Sequence, residues 1–243
     1  MLFRSPQMFF FDQGQHVLGM QDLGTAKDFD FLYGSEKNLT KDDETFLITY
    51  LSELHRLPVS GPDFHNRRMR DLNHAYIFEL PFKPNEDADV DAVTPGLLEL
   101  ARVIQQDEEL RDIALALGKA YLEDGQYLIH GDFYPRSWIQ TSAGSYVIDP
   151  EFGHLGKREF DLGVFLAHLF LSGISHGIGI LELHYPQLPD CDQSLIFKFC
   201  GVEIIRRLIH VTQLPIRNDL GFKKNLLTFA VTAIKTGKLA HRP

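Results

Sequence analysis

Cysteine is scarce. The 243 residues hold two, Cys191 and Cys200, with no CxxC pair. That spacing offers neither a disulfide framework nor a zinc knuckle and fits a reducing compartment, so a cytoplasmic location is expected. Basic charge is also short. Twenty-four Lys and Arg face 33 Asp and Glu, for a net charge of −9. No basic block offsets the acid, which argues against a nucleic-acid partner. An export signal is not evident, since the apolar run of "MLFRSPQMFFFDQG" is only four residues long and ends at Asp12. The longest uncharged run, Leu162–Leu181, carries His168, His176, two serines and four glycines. It reads as a buried core helix broken near "SGISHGIG", and no membrane is expected as a partner.

What is present is enough apolar content, 44%, for one large domain or two small ones. "QMFFFDQGQHVLGM" reads as a hairpin turning at Asp12–Gln15. "QDLG" then leads into a polar loop. Thr40 and Asp43 form a capping-box-like start for a helix to about Leu57, ended by Pro58, Gly61 and Pro62. Helical patterning returns over Asn66–Glu79 and, after the acidic loop "KPNEDADVDAVTPG", over Leu97–Glu123. Two short strands come next, and helices follow at about 160–175, 192–212 and 219–236. A strand-rich beginning, a mostly helical body and a central hairpin make an α+β pattern.

The central hairpin carries the chemistry. In "LIHGDFYPRSWIQTSAGSYVIDPEFG", one apolar segment closes on His130-Gly131-Asp132, and another closes on Asp149-Pro150-Glu151. With a turn at Ser142–Ser145, the hairpin brings Asp132 and Asp149 to the same end of the sheet. Either aspartate alone could simply cap a turn. Together, with Glu151 two residues on, they suit a hard divalent cation, and magnesium is favoured where phosphate oxygens complete its shell.

"HGDFYPRS", "VIDPEFG" and "FDLG" resemble the catalytic loop, metal motif and following helix start of the protein-kinase-like small-molecule phosphotransferases. That superfamily includes aminoglycoside phosphotransferases and choline kinases; the closer wording is that of methylthioribose kinases. "CGVEIIRRLIHVTQLP" resembles the twin-arginine segment of the same family. The resemblance covers roughly Phe9 to the end and implies a protein-kinase-like fold. Residues 1–24 would be a remnant of the small lobe and hinge, and 25–243 the large lobe. It implies an ATP-dependent transfer to a hydroxyl of a small molecule, methylthioribose- or aminoglycoside-like, with ATP and Mg2+ as cofactors. By the same resemblance Asp132 is the catalytic acid–base residue, His130 supports its loop and Asp161 holds backbone. Asp149 and Glu151 hold magnesium, joined by Ser137 where many relatives use Asn. Met20 is the gatekeeper, the backbone of Gln21 and Leu23 meets the purine edge, and Arg206 and Arg207 touch the substrate. Neighbouring helix positions diverge by about 100°, so only one of those arginines is expected to face the site.

If Met20 is the gatekeeper, the Gly-rich loop, the phosphate-binding lysine and its partner glutamate belong upstream of Met1. "SHGIGI" and "VTAIKTGK" do not replace them. The chain is then expected to be a truncated gene product, a short form that binds ligand without efficient transfer (a pseudokinase module), or a chain whose missing lobe another chain supplies. The unpaired Phe-rich edge left by that loss invites self-association, which a homodimer would satisfy. Gly131 in place of a catalytic-loop arginine, and only Phe152–Glu159 before the next helix, leave no peptide platform and favour a small hydroxylated acceptor. Arg67, Arg68 and Arg70 of "NRRMRDLNH" are further candidates for the site. A different class, a metal-dependent phosphohydrolase built on His130, Asp132, Asp149, Glu151 and His154, would need its histidines to converge on the metal.

Overall fold

The computed structural model describes residues 4–34, 38–84, 90–210, 214–217 and 219–239. It opens with the antiparallel hairpin of β1 (Met8–Asp12) and β2 (Val17–Met20), in which Phe11 lies opposite Leu18. The reversal is chemical. Asp12 Oδ1 accepts from the amides of Gly14 and Gln15 at 2.9 and 3.0 Å, closing an aspartate turn where the apolar run stops. Every residue of β1 is exposed.

The stretch read as a polar loop after Gly24 is more ordered than that. It forms β3 (Ala26–Asp28) and a helical turn over Phe29–Tyr33, capped by the Asp28 side chain on the Asp30 amide. Phe29 and Leu32, three residues apart, fall on one face of that turn and are fully buried. Their spacing, and not the intervening Asp30, decides which face is buried.

Helix α1 (Lys41–Leu54) starts as the capping box predicts: Thr40 accepts from the Asp43 amide, and the Asp43 carboxylate accepts from Thr40. Three acids in its first turn complement the helix dipole. Helix α2 (Arg67–His74) runs on through a π turn, Ala75–Glu79, and a 3-10 turn at Leu80–Phe82, where Pro81 ends it. Then come α3 (Val90–Val93), α4 (Leu97–Gln106) and α5 (Glu108–Leu122).

The strands β4 (Tyr127–Ile129), β5 (Trp138–Thr141), β6 (Gly144–Val147) and β7 (His154–Gly156) form two small sheets. One has the order β3-β5-β6 and the other pairs β4 with β7, all antiparallel. The β5–β6 turn is tighter than the sequence suggests, because Ser145 already pairs with Gln140.

Helices α6 (Arg158–Leu171), α7 (Gly177–His184), α8 (Gln193–Ile209) and α9 (Leu220–Thr236) complete the body. The uncharged run Leu162–Leu181 thus breaks into two helices, and no helix among the described residues is long and apolar enough to cross a membrane. All fourteen residues of α6 are buried, so it has no solvent face. It packs along α8, which packs along α9. The α6–α8 approach needs Gly163: a Cβ there would sit 2.7 Å from Phe199 Cβ and 2.8 Å from the Ile196 carbonyl. Helix α8 stops at Ile209, and residues 211–212 of the anticipated 192–212 helix lie outside the described residues.

Candidate functional site

His130-Gly131-Asp132 leaves the end of β4 and is tied down from beneath. Asp161, in the first turn of α6, accepts from the His130 amide at 2.7 Å and the Gly131 amide at 3.0 Å. His55 Nε2–H donates to the same carboxylate at 3.1 Å. With Nε2 the donor, His55 Nδ1 accepts from the Tyr185 hydroxyl at 2.7 Å. Burial works to raise the Asp161 carboxyl, but the His55 hydrogen bond and the backbone amide outweigh it and hold it below the usual range. Gly131 has φ +82 and passes so close to the Phe152 carbonyl that no Cβ fits. Asn73 Nδ2 of α2 donates to the Gly131 carbonyl at 2.9 Å. His130 donates Nε2–H to the Ile148 carbonyl at 2.9 Å, leaving Nδ1 towards the Asp132 amide at 3.4 Å. The result is a fixed backbone that leaves the Asp132 side chain 18% exposed.

Ser137 closes this loop on itself. Its hydroxyl lies 2.8 Å from the Tyr134 carbonyl, 3.1 Å from the Asp132 carbonyl and 3.1 Å from the Tyr134 amide, and the residue is 1% exposed. The Ile148 amide then donates to the Ser137 carbonyl at 2.9 Å, where β6 returns the chain to the same end as Asp132. Asp149 follows in a left-handed conformation, φ 62 and ψ 54, strained for any residue with a side chain. Its carboxylate and that of Glu151 are exposed. Asn66 donates to the carbonyls of Glu151 and Gly153 at 2.7 and 3.0 Å. Asparagines at both ends of α2 therefore hold the two acid-bearing loops. No group of three or more His, Cys, Asp or Glu among the described residues forms a complete metal nest. The donor set here is two solvent-facing carboxylates, oxygen ligands of the kind a hard cation takes together with phosphate oxygens.

From the opposite side, Arg206 and Arg207 both reach Asp132 Oδ1, at 3.5 and 3.2 Å. The expectation that only one would face the site is corrected. The backbone directions diverge, but the long side chains converge on a single carboxylate oxygen. Both arginines are 5% exposed. Beneath them lies a group the sequence reading did not single out. Glu203 accepts from Arg207 Nε at 2.6 Å and pairs with Arg206 Nε at 3.4 Å. Burial would raise the Glu203 carboxyl, but the two guanidinium charges outweigh it and hold it far below the ordinary range. Its i,i+3 and i,i+4 spacing to the arginines is the signal that could have found it. His168 Nε2 is 3.0 Å from Glu203, and burial pushes its pKa down to about 4.

The arginines of α2 are aimed elsewhere. Arg70 is buried against Asp124, 2.9 Å away, while Arg67 and Arg68 are exposed. Met20 is half exposed at the end of β2. The Gln21 amide donates to Gln7 at 2.8 Å, extending the hairpin ladder, and Leu23 lies in the connection towards β3. His154 is wholly buried, with Nδ1 on the Phe152 carbonyl at 2.9 Å. Neither His154 nor His130 offers the pair of converging imidazoles that a phosphohydrolase site would want.

Residues 19–177 match the profile of the family described as "Phosphotransferase enzyme family". A methylthioribose kinase of Exiguobacterium sibiricum is 34% identical over 109 residues, covering 45% of this chain and 27% of its own. One of Escherichia coli is 32% identical over 188 residues, covering 70% of this chain and 43% of its own. The chain therefore spans less than half the length of these relatives. Among solved structures, LicA in complex with AMP superposes with TM-score 0.53 at 16% identity, over 97% of this chain and 74% of that one. A choline/ethanolamine kinase family protein from Mesorhizobium loti gives 0.51 at 13% identity, over 96% and 75%. These last two likenesses show the protein-kinase-like fold.

Proposed function

Because the chain belongs to the phosphotransferase enzyme family, we propose that it carries the catalytic lobe of an ATP-dependent kinase that phosphorylates a hydroxyl of a small, sugar-like acceptor, methylthioribose being the leading candidate. The observation that carries this reading is Asp132: a partly exposed carboxylate on an immobilised loop, with two buried guanidinium groups on one of its oxygens. Phosphoryl transfer asks little covalent work of a protein; it needs alignment and neutralised charge. Asp132 would orient the acceptor hydroxyl and take its proton. Asp149 and Glu151 would hold Mg2+, which when bound neutralises the phosphate oxygens. Ser137 serves chiefly by closing the loop, and His130 by fixing the Asp132 amide. The purine edge would meet the backbone of Gln21 and Leu23 beside Met20, with residues 1–24 as hinge and 25–243 as the large lobe. Arg206 and Arg207 would supply positive charge where the transferred group arrives. A cytoplasmic setting fits two unpaired cysteines.

The test is transfer from ATP to methylthioribose, choline and spectinomycin, followed by 31P NMR. It is run with the chain alone and with the chain joined to the N-terminal part of the Exiguobacterium relative. Phosphorylated acceptor is expected from the joined protein and should vanish on Asp132→Ala. Undiminished transfer without Asp132 would remove the assigned base.

A further inference from the structure

The two arginines on Asp132 are not equivalent. Arg207 is engaged on three sides: Nε on Glu203 at 2.6 Å, Nη2 on Asp132 at 3.2 Å, and the guanidinium 4.5 Å over the Tyr134 ring. Arg206 is held loosely. Its contacts to Asp132 and Glu203 are 3.5 and 3.4 Å, and its buried Nε makes no hydrogen bond among the described residues.

Behind Arg207 the bonding continues inward. Burial favours the neutral form of His168, and the nitrogen 3.0 Å from the acceptor-only Glu203 carboxylate is the one that carries the proton. That leaves Nδ1 to accept from the Tyr33 hydroxyl, 2.7 Å away. Tyr33, His168 and Glu203 are each 3% exposed or less. Tyr33 ends the helical turn Phe29–Tyr33. Asp30 of the same turn holds Arg136, on the loop that follows Asp132, at 2.8 Å. One short turn thus grips the Asp132 loop directly through Arg136 and indirectly through His168, Glu203 and Arg207.

We propose that Arg207 is a positioning residue that sets the orientation of the Asp132 carboxylate, anchored through Glu203 and His168 by Tyr33, and that Arg206 alone is free to move onto an oxyanion of the ligand. The first half rests on the reading of Asp132 as the group facing the acceptor hydroxyl. The division matters chemically. If both arginines left Asp132 for an arriving phosphoryl group, the carboxylate would lose its orientation when it is needed; with Arg207 fixed, charge is delivered by Arg206 while Asp132 stays aimed.

Two measurements on the intact chain test this without requiring turnover. Titration with methyl phosphate should show binding that weakens about tenfold or more in Arg206→Met but by less than about twofold in Tyr33→Phe and His168→Gln, since glutamine keeps an N–H donor for Glu203. Absence of binding, or binding indifferent to Arg206, overturns the assignment of Arg206. Urea unfolding of the cycle Tyr33→Phe, Asp132→Asn and the double variant should be non-additive by about threefold or more in the unfolding constant, because His168, Glu203 and Arg207 link the two residues in one bonded network. Additivity within about twofold would mean Tyr33 merely packs, and would overturn the positioning chain. In the joined protein used for transfer, Tyr33→Phe should lower kcat and leave the KM for ATP unchanged. Transfer that survives Asp132→Ala, alongside intact coupling and phosphate binding, would instead sink the reading of Asp132.

Discussion

The β1–β2 hairpin and the α6–α8 pair are both rich in phenylalanine, and the molecule uses them in opposite ways. Phe9 and Phe11 of β1 are 62% and 60% exposed, whereas Phe165 of α6 and Phe199 of α8 are at most 1% exposed. The hairpin pairs its two strands with each other and closes an aspartate turn, but among the described residues it leaves both outer edges open and buries almost no side chain. The helix pair buries all of α6 and most of α8, including Asp161, His168, Glu203 and the twin arginines. A buried polar group must be matched atom by atom, so it holds its neighbours to one geometry. An exposed apolar strand imposes no such condition. The geometry of Asp132 is therefore set from the helical side, and the hairpin is the region left open to pairing with something else.

The contrast predicts its largest effect at Asp161. Asp161→Ala strands two loop amides and the His55 N–H in a dry interior, and should cost about 3–5 kcal/mol in urea unfolding. The acid limb checks the cause. The folded carboxyl is held below its ordinary value near 3.8. Its contribution is therefore fully present above that pH and is lost as pH falls through the lower folded value. The wild-type protein should lose stability more steeply below about pH 4 than the variant does. Parallel acid limbs would mean that Asp161 is not ionised in its bonds.

A smaller effect is expected at the hairpin. Phe9→Ser with Phe11→Ser should change unfolding by no more than about 1 kcal/mol, since no packed side chain is removed. Self-association seen by sedimentation should fall at the same time. A loss as large as that of Asp161→Ala would erase the distinction between the two regions.

The α+β pattern, the Thr40 capping box, the hairpin and the major helices were legible because each depends on neighbours in sequence. So was the backbone-holding place of Asp161, whose motif is contiguous. What escaped was long-range: Asn66 and Asn73, which hold the two loops from α2, and His55, which completes the bonds of Asp161. Their local pattern is that of ordinary polar helix residues, and the partners the asparagines hold lie 58 to 87 residues away in sequence. Glu203 was locally encoded by its spacing to Arg206 and Arg207, yet its importance follows from burial, which a charged residue on a helix does not advertise. The order after Gly24 was not legible because Lys27, Asp28 and Asp30 interrupt the apolar residues and mask the Phe29–Leu32 spacing that fixes the turn.

The central claim is that the loops ending at Asp132 and Asp149 form one magnesium–nucleotide and acceptor site. Isothermal titration of Mg–ADP into the wild-type chain, Asp149→Asn and Ser137→Ala tests it most directly. A full negative charge facing a divalent ion outweighs a hydroxyl already bonded within its own loop. Asp149→Asn should therefore weaken binding about tenfold or more, and Ser137→Ala by less than about threefold. Equal losses in the two variants, or Mg–ADP binding untouched by Asp149→Asn, would contradict the assignment.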